Sequence, residues 1–203
     1  MQLRHESQLT AAEYVNQKAW EGASLQQCPL HPEGGCGIAR HGTYERVEPP
    51  GMEVARWYCE SGHTTFSLLP DCLASRLSST LAAVEAVVDA VEQRKSSIEA
   101  VAEKLRPDIS VQGAVRWVRR RVVAVALAMV ALKGLQPDVL SSVGATQGEV
   151  RAVLKVDAVL AAVRELAGEQ LVHLPPYVGL GPRHRGVKTE KRRGQHQAGA
   201  DPP

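Results

Sequence analysis

Cys28-Pro-Leu-His31-Pro-Glu-Gly-Gly-Cys36-Gly37 and Trp57-Tyr58-Cys59-Glu-Ser-Gly62-His63 gather three thiols and two imidazoles into two short clusters. Thiolates and neutral imidazoles are the donors that surround a tetrahedral zinc ion, which commonly takes them in pairs from two turns. Cys59 and His63, with Gly62 freeing the turn between them, form the second pair. Cys28 opens the first. Its partner is either His31, at the usual spacing, or Cys36, which precedes Gly37 as the second cysteine of a knuckle does. Three thiolates hold Zn²⁺ more tightly than two. The preferred set is therefore Cys28, Cys36, Cys59 and His63, with His31 the alternate to Cys36 or a neighbour just outside the ligands. One structural Zn²⁺ is the expected cofactor. A hydrolytic zinc would need an open position and a carboxylate base. Glu60 adjoins Cys59, but no His-Glu motif is present, so no catalytic residue and no enzyme activity are expected. Cys72 stands apart as a core residue, and His41 is expected as a hydrogen-bonding strand residue.

Such a site needs short strands and tight turns, and the surrounding residues have that character. Met52-Glu-Val-Ala-Arg-Trp-Tyr58 alternates as a half-buried strand does, His41–Val47 is its partner, and Glu48-Pro-Pro-Gly51 is the turn. A module this small buries little apolar surface, and the metal supplies the missing stability. Residues 26–72 are therefore expected as a zinc ribbon. Residues 1–25 are a loosely docked lead-in with a weak helix around Ala11–Trp20.

After Pro70 the pattern turns helical. The 203 residues suit one medium domain or two small ones, and the 44% hydrophobic content includes only one Phe, favouring packed Ala/Val/Leu helices. Ser79–Gln93 sets Leu81, Val84, Val87, Val88 and Val91 on one face. Ser96-Ser-Ile-Glu99 reads as a capping box opening a helix to Leu105, which Pro107 ends. Asp108 or Ser110 caps the next helix, from Val111 to Lys133, with Gly134 as its stop. Within it the apolar run Val122–Leu132 is too short to span a bilayer and is expected as a buried segment. Thr146-Gln-Gly-Glu149 is a second capping box, opening one amphipathic helix through Leu166. The fold class expected is mainly α with a small N-terminal β zinc ribbon. A helix-turn-helix-like domain occupies 78–134, a C-terminal helical extension 135–173, and a disordered basic tail 174–203.

Net charge is only +2, so charge matters by location. A short helix, a tight break and a longer helix bearing Arg116, Arg119 and Arg120 have the shape of a helix-turn-helix, whose second helix enters the major groove. Ser110, Gln112 and Arg116 are the candidates for base edges. Arg119, Arg120, Arg106 and Lys104 are the candidates for phosphates, with Val115, Val118 and Val122 facing the core and Trp117 a partly buried packing residue. The N-terminus lacks a charged-then-apolar leader, so reduced cysteines, a cytoplasmic location and no membrane partner are expected.

The knuckle Cys28-Pro, the segment Arg40-His41-Gly42-x-Tyr44-x-Arg46, Trp57-Tyr58-Cys59 and His63-Thr-Thr-Phe66-Ser-Leu-Leu-Pro70 together resemble the zinc-ribbon start of bacterial insertion-sequence proteins, the N-terminal DNA-binding regions of transposases. More closely, they resemble an uncharacterised family of bacterial zinc-ribbon proteins with a helix-turn-helix, often linked to mobile elements. The resemblance covers roughly residues 26–125. It implies sequence-directed or end-directed DNA binding. The chain departs from the pattern in its stretched first knuckle, with His31 inside it, and in His63 where relatives usually have cysteine. Asp138, Glu149, Asp157 and Glu165 read as solvated surface rather than as a two-metal nuclease site. The function expected is thus a DNA-binding protein, a mobile-element recognition subunit or transcriptional regulator. A homo-oligomer or transposition partner is compatible with it, and no small-molecule substrate is evident. The alternative is a zinc-stabilised interaction adaptor or oligomerising helical protein without DNA binding.

Overall fold

Residues 1–179 are described by a computed structural model. The alternating Met52–Tyr58 segment becomes β3 (Glu53–Cys59), which pairs antiparallel with β4 (Thr64–Pro70), a strand not among those expected from the sequence, with Trp57 opposite Phe66. On the far edge of β3 lies β2 (Ala39–Glu45), antiparallel, its register slipping between Arg40 and Thr43. The fourth strand, β1 (Gln2–His5), pairs parallel with β4, giving the order β1-β4-β3-β2. Residues 1–25 are therefore part of the fold rather than a loose lead-in. After β1 they form α1 (Ala11–Asn16), opened by a Thr10/Glu13 capping box, and bury Leu3, Tyr14, Trp20 and Ala23 in the main core. Four residues of Gln-Leu-Arg-His carry almost no strand signal of their own; the open edge of β4 recruits them.

Helices make up the remainder: α2 (Leu81–Glu92), α3 (Ile98–Leu105), α4 (Val111–Leu135), α5 (Pro137–Leu140), α6 (Gln147–Leu154) and α7 (Val159–Ala167), then a 3-10 turn over Gly168–His173. Ser97, not Ser96, caps α3, its hydroxyl accepting the Ala100 N–H at 3.2 Å. α4 runs through Gly134 and stops where Gln136 leaves helical geometry, because Pro137 disfavours that geometry in the residue before it. The apolar run in α4 is only half buried: Ala124, Val125, Ala128, Met129 and Leu132 face inward, whereas Val123, Leu127 and Val130 face out. Among the described residues no helix is long and apolar enough to cross a membrane.

One expected helix is two. The chain breaks at Lys155, which takes a left-handed conformation, and restarts as α7. The new helix end has orphan N–H groups and no cap of its own. α2 supplies it: the buried Glu85 carboxylate accepts the N–H groups of Val159 at 3.1 Å and Leu160 at 2.6 Å. One turn and then a second along α2, Asp89 holds Arg151 through two bonds of 2.8 Å, and Glu92 accepts from Gln147 and Gly148 at the start of α6. Spacing of four and then three residues puts all these carboxylates on one face.

The main apolar core runs from Leu3 in β1 to Val178, through the sheet, α2, the C-terminal half of α4 and α7. The boundaries expected near 72 and 134 thus fall within a shared core. A smaller cluster of Val87, Val91, Ala102, Ala114, Val115 and Val118 joins α2, α3 and the start of α4. Residues 174–179, expected as the beginning of a tail, are docked: Leu174 and Val178 are buried, and the Ser75 N–H donates to the Tyr177 carbonyl at 3.1 Å. Residues 180–203, which hold the basic part of the expected tail, lie outside the described residues.

The clamp between sheet and helices is Arg164 of α7, 1% exposed, whose guanidinium donates to the carbonyls of Asp71 (2.7 Å), Leu73 (2.8 Å) and Val178 (3.1 Å). Replacing it with Leu strands those acceptors, so Arg164→Leu is expected to cost about 3 kcal/mol or more in urea unfolding. Glu85→Ala should cost about 2 kcal/mol and the exposed Glu92→Ala about 1 kcal/mol or less in the same measurement, since burial makes an orphaned helix end more costly. Equal losses at the two glutamates would contradict this account of the break at Lys155.

Candidate metal centre

Two turns and one strand end converge on a single point. Cys28 starts a turn in which the His31 N–H donates to the Cys28 carbonyl at 3.1 Å, bringing the imidazole back over the thiol. Cys36 follows Gly34 and Gly35 and precedes Gly37, all three with positive φ, so the loop can fold its second thiol onto the first. Cys59 ends β3, and its sulfur accepts the Gly62 N–H at 3.2 Å. The ligand atoms of Cys28, His31, Cys36 and Cys59 all lie within 4.8 Å of one another.

His31 thus takes the fourth place that the sequence assigned to His63, and it does so beside Cys36 rather than instead of it. His63 is exposed and in a left-handed conformation; its Nδ1 lies 3.1 Å from the Tyr58 hydroxyl, outside the group. The reason is visible at Gly62, which occupies the two-residue spacing from Cys59 where a ribbon usually carries its fourth ligand. A Cβ on Gly62 would lie 2.7 Å from Leu30 Cδ1, 3.2 Å from Cys59 Sγ and 3.4 Å from His31 Cε1. The space a second-knuckle side chain would need is filled by Leu30 and His31 of the first. A Cys-x-x-His spacing at 28–31 was the signal in the sequence; the longer Cys28–Cys36 loop obscured it.

The donor set fits a four-coordinate metal. His31 Nδ1 lies 3.5 Å from Cys28 Sγ and 3.4 Å from Cys59 Sγ. With metal–sulfur bonds of about 2.3 Å and metal–nitrogen bonds of about 2.0–2.1 Å, the sulfur–nitrogen edge of a tetrahedron is about 3.6 Å. Burial works against the Cys28 thiolate, but hydrogen bonds from His31, the Leu30 backbone and the neighbouring thiols outweigh it and hold this thiol at about 7. Burial pushes the Cys36 thiol up, and the two thiols beside it add to that. A cation at the centre would reverse this crowding, since it favours every thiolate at once. All four cysteines of the chain are free thiols. Cys72, away from the group, is partly buried, and burial raises its thiol to about 11. His41 lies on β2 with its ring 5.6 Å from that of Tyr58.

The second set of sequence candidates surrounds the start of α4. The Ser110 hydroxyl is spent as the N-cap, accepting the Gly113 N–H at 3.3 Å. Gln112, Arg116, Arg119, Arg120 and Lys104 are exposed. Arg106 is different: it makes two bonds of 2.8 and 2.7 Å to Asp108, an ion pair that holds the Asp108 carboxyl down at about 2. Arg121, next to the exposed pair, turns inward with 2% exposure and lies 3.6 Å from the Trp117 ring centre; burial lowers it to about 10. Trp117 is half-buried, as expected, and Arg106 also lies over its ring at 5.2 Å. α3 and α4 pack together through Ala102, Ala114, Val115 and Val118.

Comparison with known proteins adds no relative: no family model matches the chain, and neither a curated protein nor a solved structure matches it.

Because His31 and His63 are separated by the structure, they can be separated by experiment. His31→Ala should lower affinity for Co²⁺, read from its thiolate charge-transfer absorbance, by more than about 100-fold, whereas His63→Ala should leave it within a few-fold. Gly62→Ala should broaden or weaken the same spectrum, since its methyl group must displace Leu30 or the Cys59 sulfur.

Proposed function

We propose that the protein binds DNA, with one zinc ion fixing the turns of its N-terminal sheet and the start of α4 offering the contact surface. The observation that carries the reading is the group Arg116, Arg119 and Arg120. Three arginines stand exposed on the first half of one helix, and none makes an ion pair or hydrogen bond among the described residues. Arginines that no carboxylate engages at ion-pair distance, Arg119 feeling Glu99 only through space, are what phosphate and guanine edges require.

Zinc suits the donor set best. Three thiolates and one imidazole at tetrahedral spacing leave no position for water, so the ion would act by holding Cys28, His31, Cys36 and Cys59 together. In this reading Gln112 and Arg116 meet base edges, Arg119, Arg120 and Lys104 meet phosphates, and Ser110 serves α4 as its cap. Arg106, already neutralised by Asp108, holds Trp117 rather than a phosphate. The protein's place as an element-end recogniser or a transcriptional regulator rests on the resemblance of residues 26–125 alone.

Salt titrations on a randomised duplex pool separate these roles. Arg120→Ala should weaken all sequences alike and lower the salt slope by about one, Arg116→Ala should relax the preference among sequences, and Arg106→Ala should change the slope little. Absence of binding at about 50 mM salt, with zinc bound and the fold intact, would remove this reading.

A further inference from the structure

The outward face of α4 changes character halfway along. Arg116, Arg119 and Arg120 give way to Val123, Ala126, Leu127, Val130 and Gly134, all exposed. Val123, Leu127 and Val130 are 55%, 52% and 57% exposed, among the most open large apolar side chains described. Positions 116, 120, 123, 127, 130 and 134 follow one another at steps of four and three, the spacing of a seam between two helices. Solvated helix faces usually carry charge, so an apolar seam of this regularity marks a contact surface.

The geometry points to a second copy of this chain as the occupant, with the two α4 helices packed antiparallel and centred on Leu127. Charge selects the direction. Parallel packing would set Arg116 and Arg120 against their own copies, at a cost. Antiparallel packing about Leu127 sets Arg120 opposite Gly134, where a Cβ would meet nothing within 4 Å and the long side chain has room. It also carries Arg116 towards the end of the partner helix, where the next exposed charge is that of Asp138. Val123 and Val130 then flank Leu127 from opposite sides, so each apolar side chain meets another.

The arrangement stands apart from the DNA reading and competes with it at Arg116 and Arg120, which the pairing turns towards the partner copy. Pairing itself does not need DNA.

The test is sedimentation velocity of the full zinc-loaded chain over a concentration series, without DNA. The wild type should associate to a dimer, and Leu127→Lys should weaken association at least about 10-fold while leaving the helical circular dichroism in place and the melting temperature unchanged at concentrations where the wild type is monomeric, since the side chain is exposed in the single chain. Gly134→Glu decides the direction. Antiparallel packing places the new carboxylate against Arg120 of the other copy, so dimerisation should tighten several-fold at low salt, lose that gain at high salt and lose it in the double variant with Arg120→Ala. A dimer weakened by Gly134→Glu overturns the antiparallel arrangement. A wild type that stays monomeric at every concentration overturns the proposal, leaving the seam to residues 180–203 or to another protein. Failure of DNA binding with the dimer intact would touch only the functional reading.

Discussion

A single guanidinium without solvent around it makes one body of this chain. Arg164 reaches from α7 into the exit of β4, gives its donors to three backbone carbonyls, and has the Asp71 carboxylate 3.9 Å away. Burial lowers its pKa to about 10, which still leaves it charged at neutral pH. A buried cation is tolerable only when its donors are matched, and here the matching groups come from the segment just after β4 and from Val178 beyond α7. Arg4 in β1 also pairs with Asp71 at 2.7 Å and with Glu165 of α7, so the first strand is held by the same acid that faces Arg164. Arg40 and Arg46 repeat the device on a smaller scale, each bonding backbone carbonyls of a neighbouring loop.

Acidic residues play the complementary part in the helical half. α2 presents Glu85, Asp89 and Glu92 along one side, and α6 and α7 dock their N-termini against them, α6 adding Arg151 from its last turn. Helix N-termini carry partial positive charge and unpaired N–H groups, so a carboxylate from another helix both neutralises and caps them. This explains why a segment with a continuous amphipathic pattern from 147 to 166 is nonetheless broken. A straight helix would satisfy its own backbone but could not bring both Val150 and Val159 to the core they share with α2.

The candidate metal centre stands at the opposite end of β3 from its turn with β2, where the apolar core thins and Gly, Pro and polar residues dominate. There the chain has thiols and an imidazole at tetrahedral separation and an obligatory glycine, Gly62, between them. The centre and the exposed arginines of α4 belong to different parts of the surface chemistry: one gathers donors from two turns and a strand end, the other presents charge outward. Arg121, alone among the arginines of its run, is withdrawn to stack on Trp117, whose carbonyl it also bonds at 3.2 Å.

Much of this was legible in the residues themselves. Cys28, Cys36 and Cys59 announced themselves as a cluster, the β2–β3 hairpin by alternation, α2 and α4 by their apolar faces, and the Thr146/Glu149 box by its spacing, because each signal lies within a few residues of chain. What escaped depends on groups far apart in sequence. Gln2–His5 becomes a strand only against β4; Leu174–Val178 is fixed only because Arg164 and Ser75 bond its carbonyls; α7 begins only where Glu85 can cap it. The choice between His31 and His63 is of the same kind. Both imidazoles sit at plausible spacings from a cysteine, and local sequence has no means of ranking them. Packing ranks them: Leu30 and His31 fill the space over Gly62, so His31 faces the three sulfurs while His63 turns out to Tyr58. Local spacing selected the kinds of donors, and only the closing of one turn over another decided which of them meet.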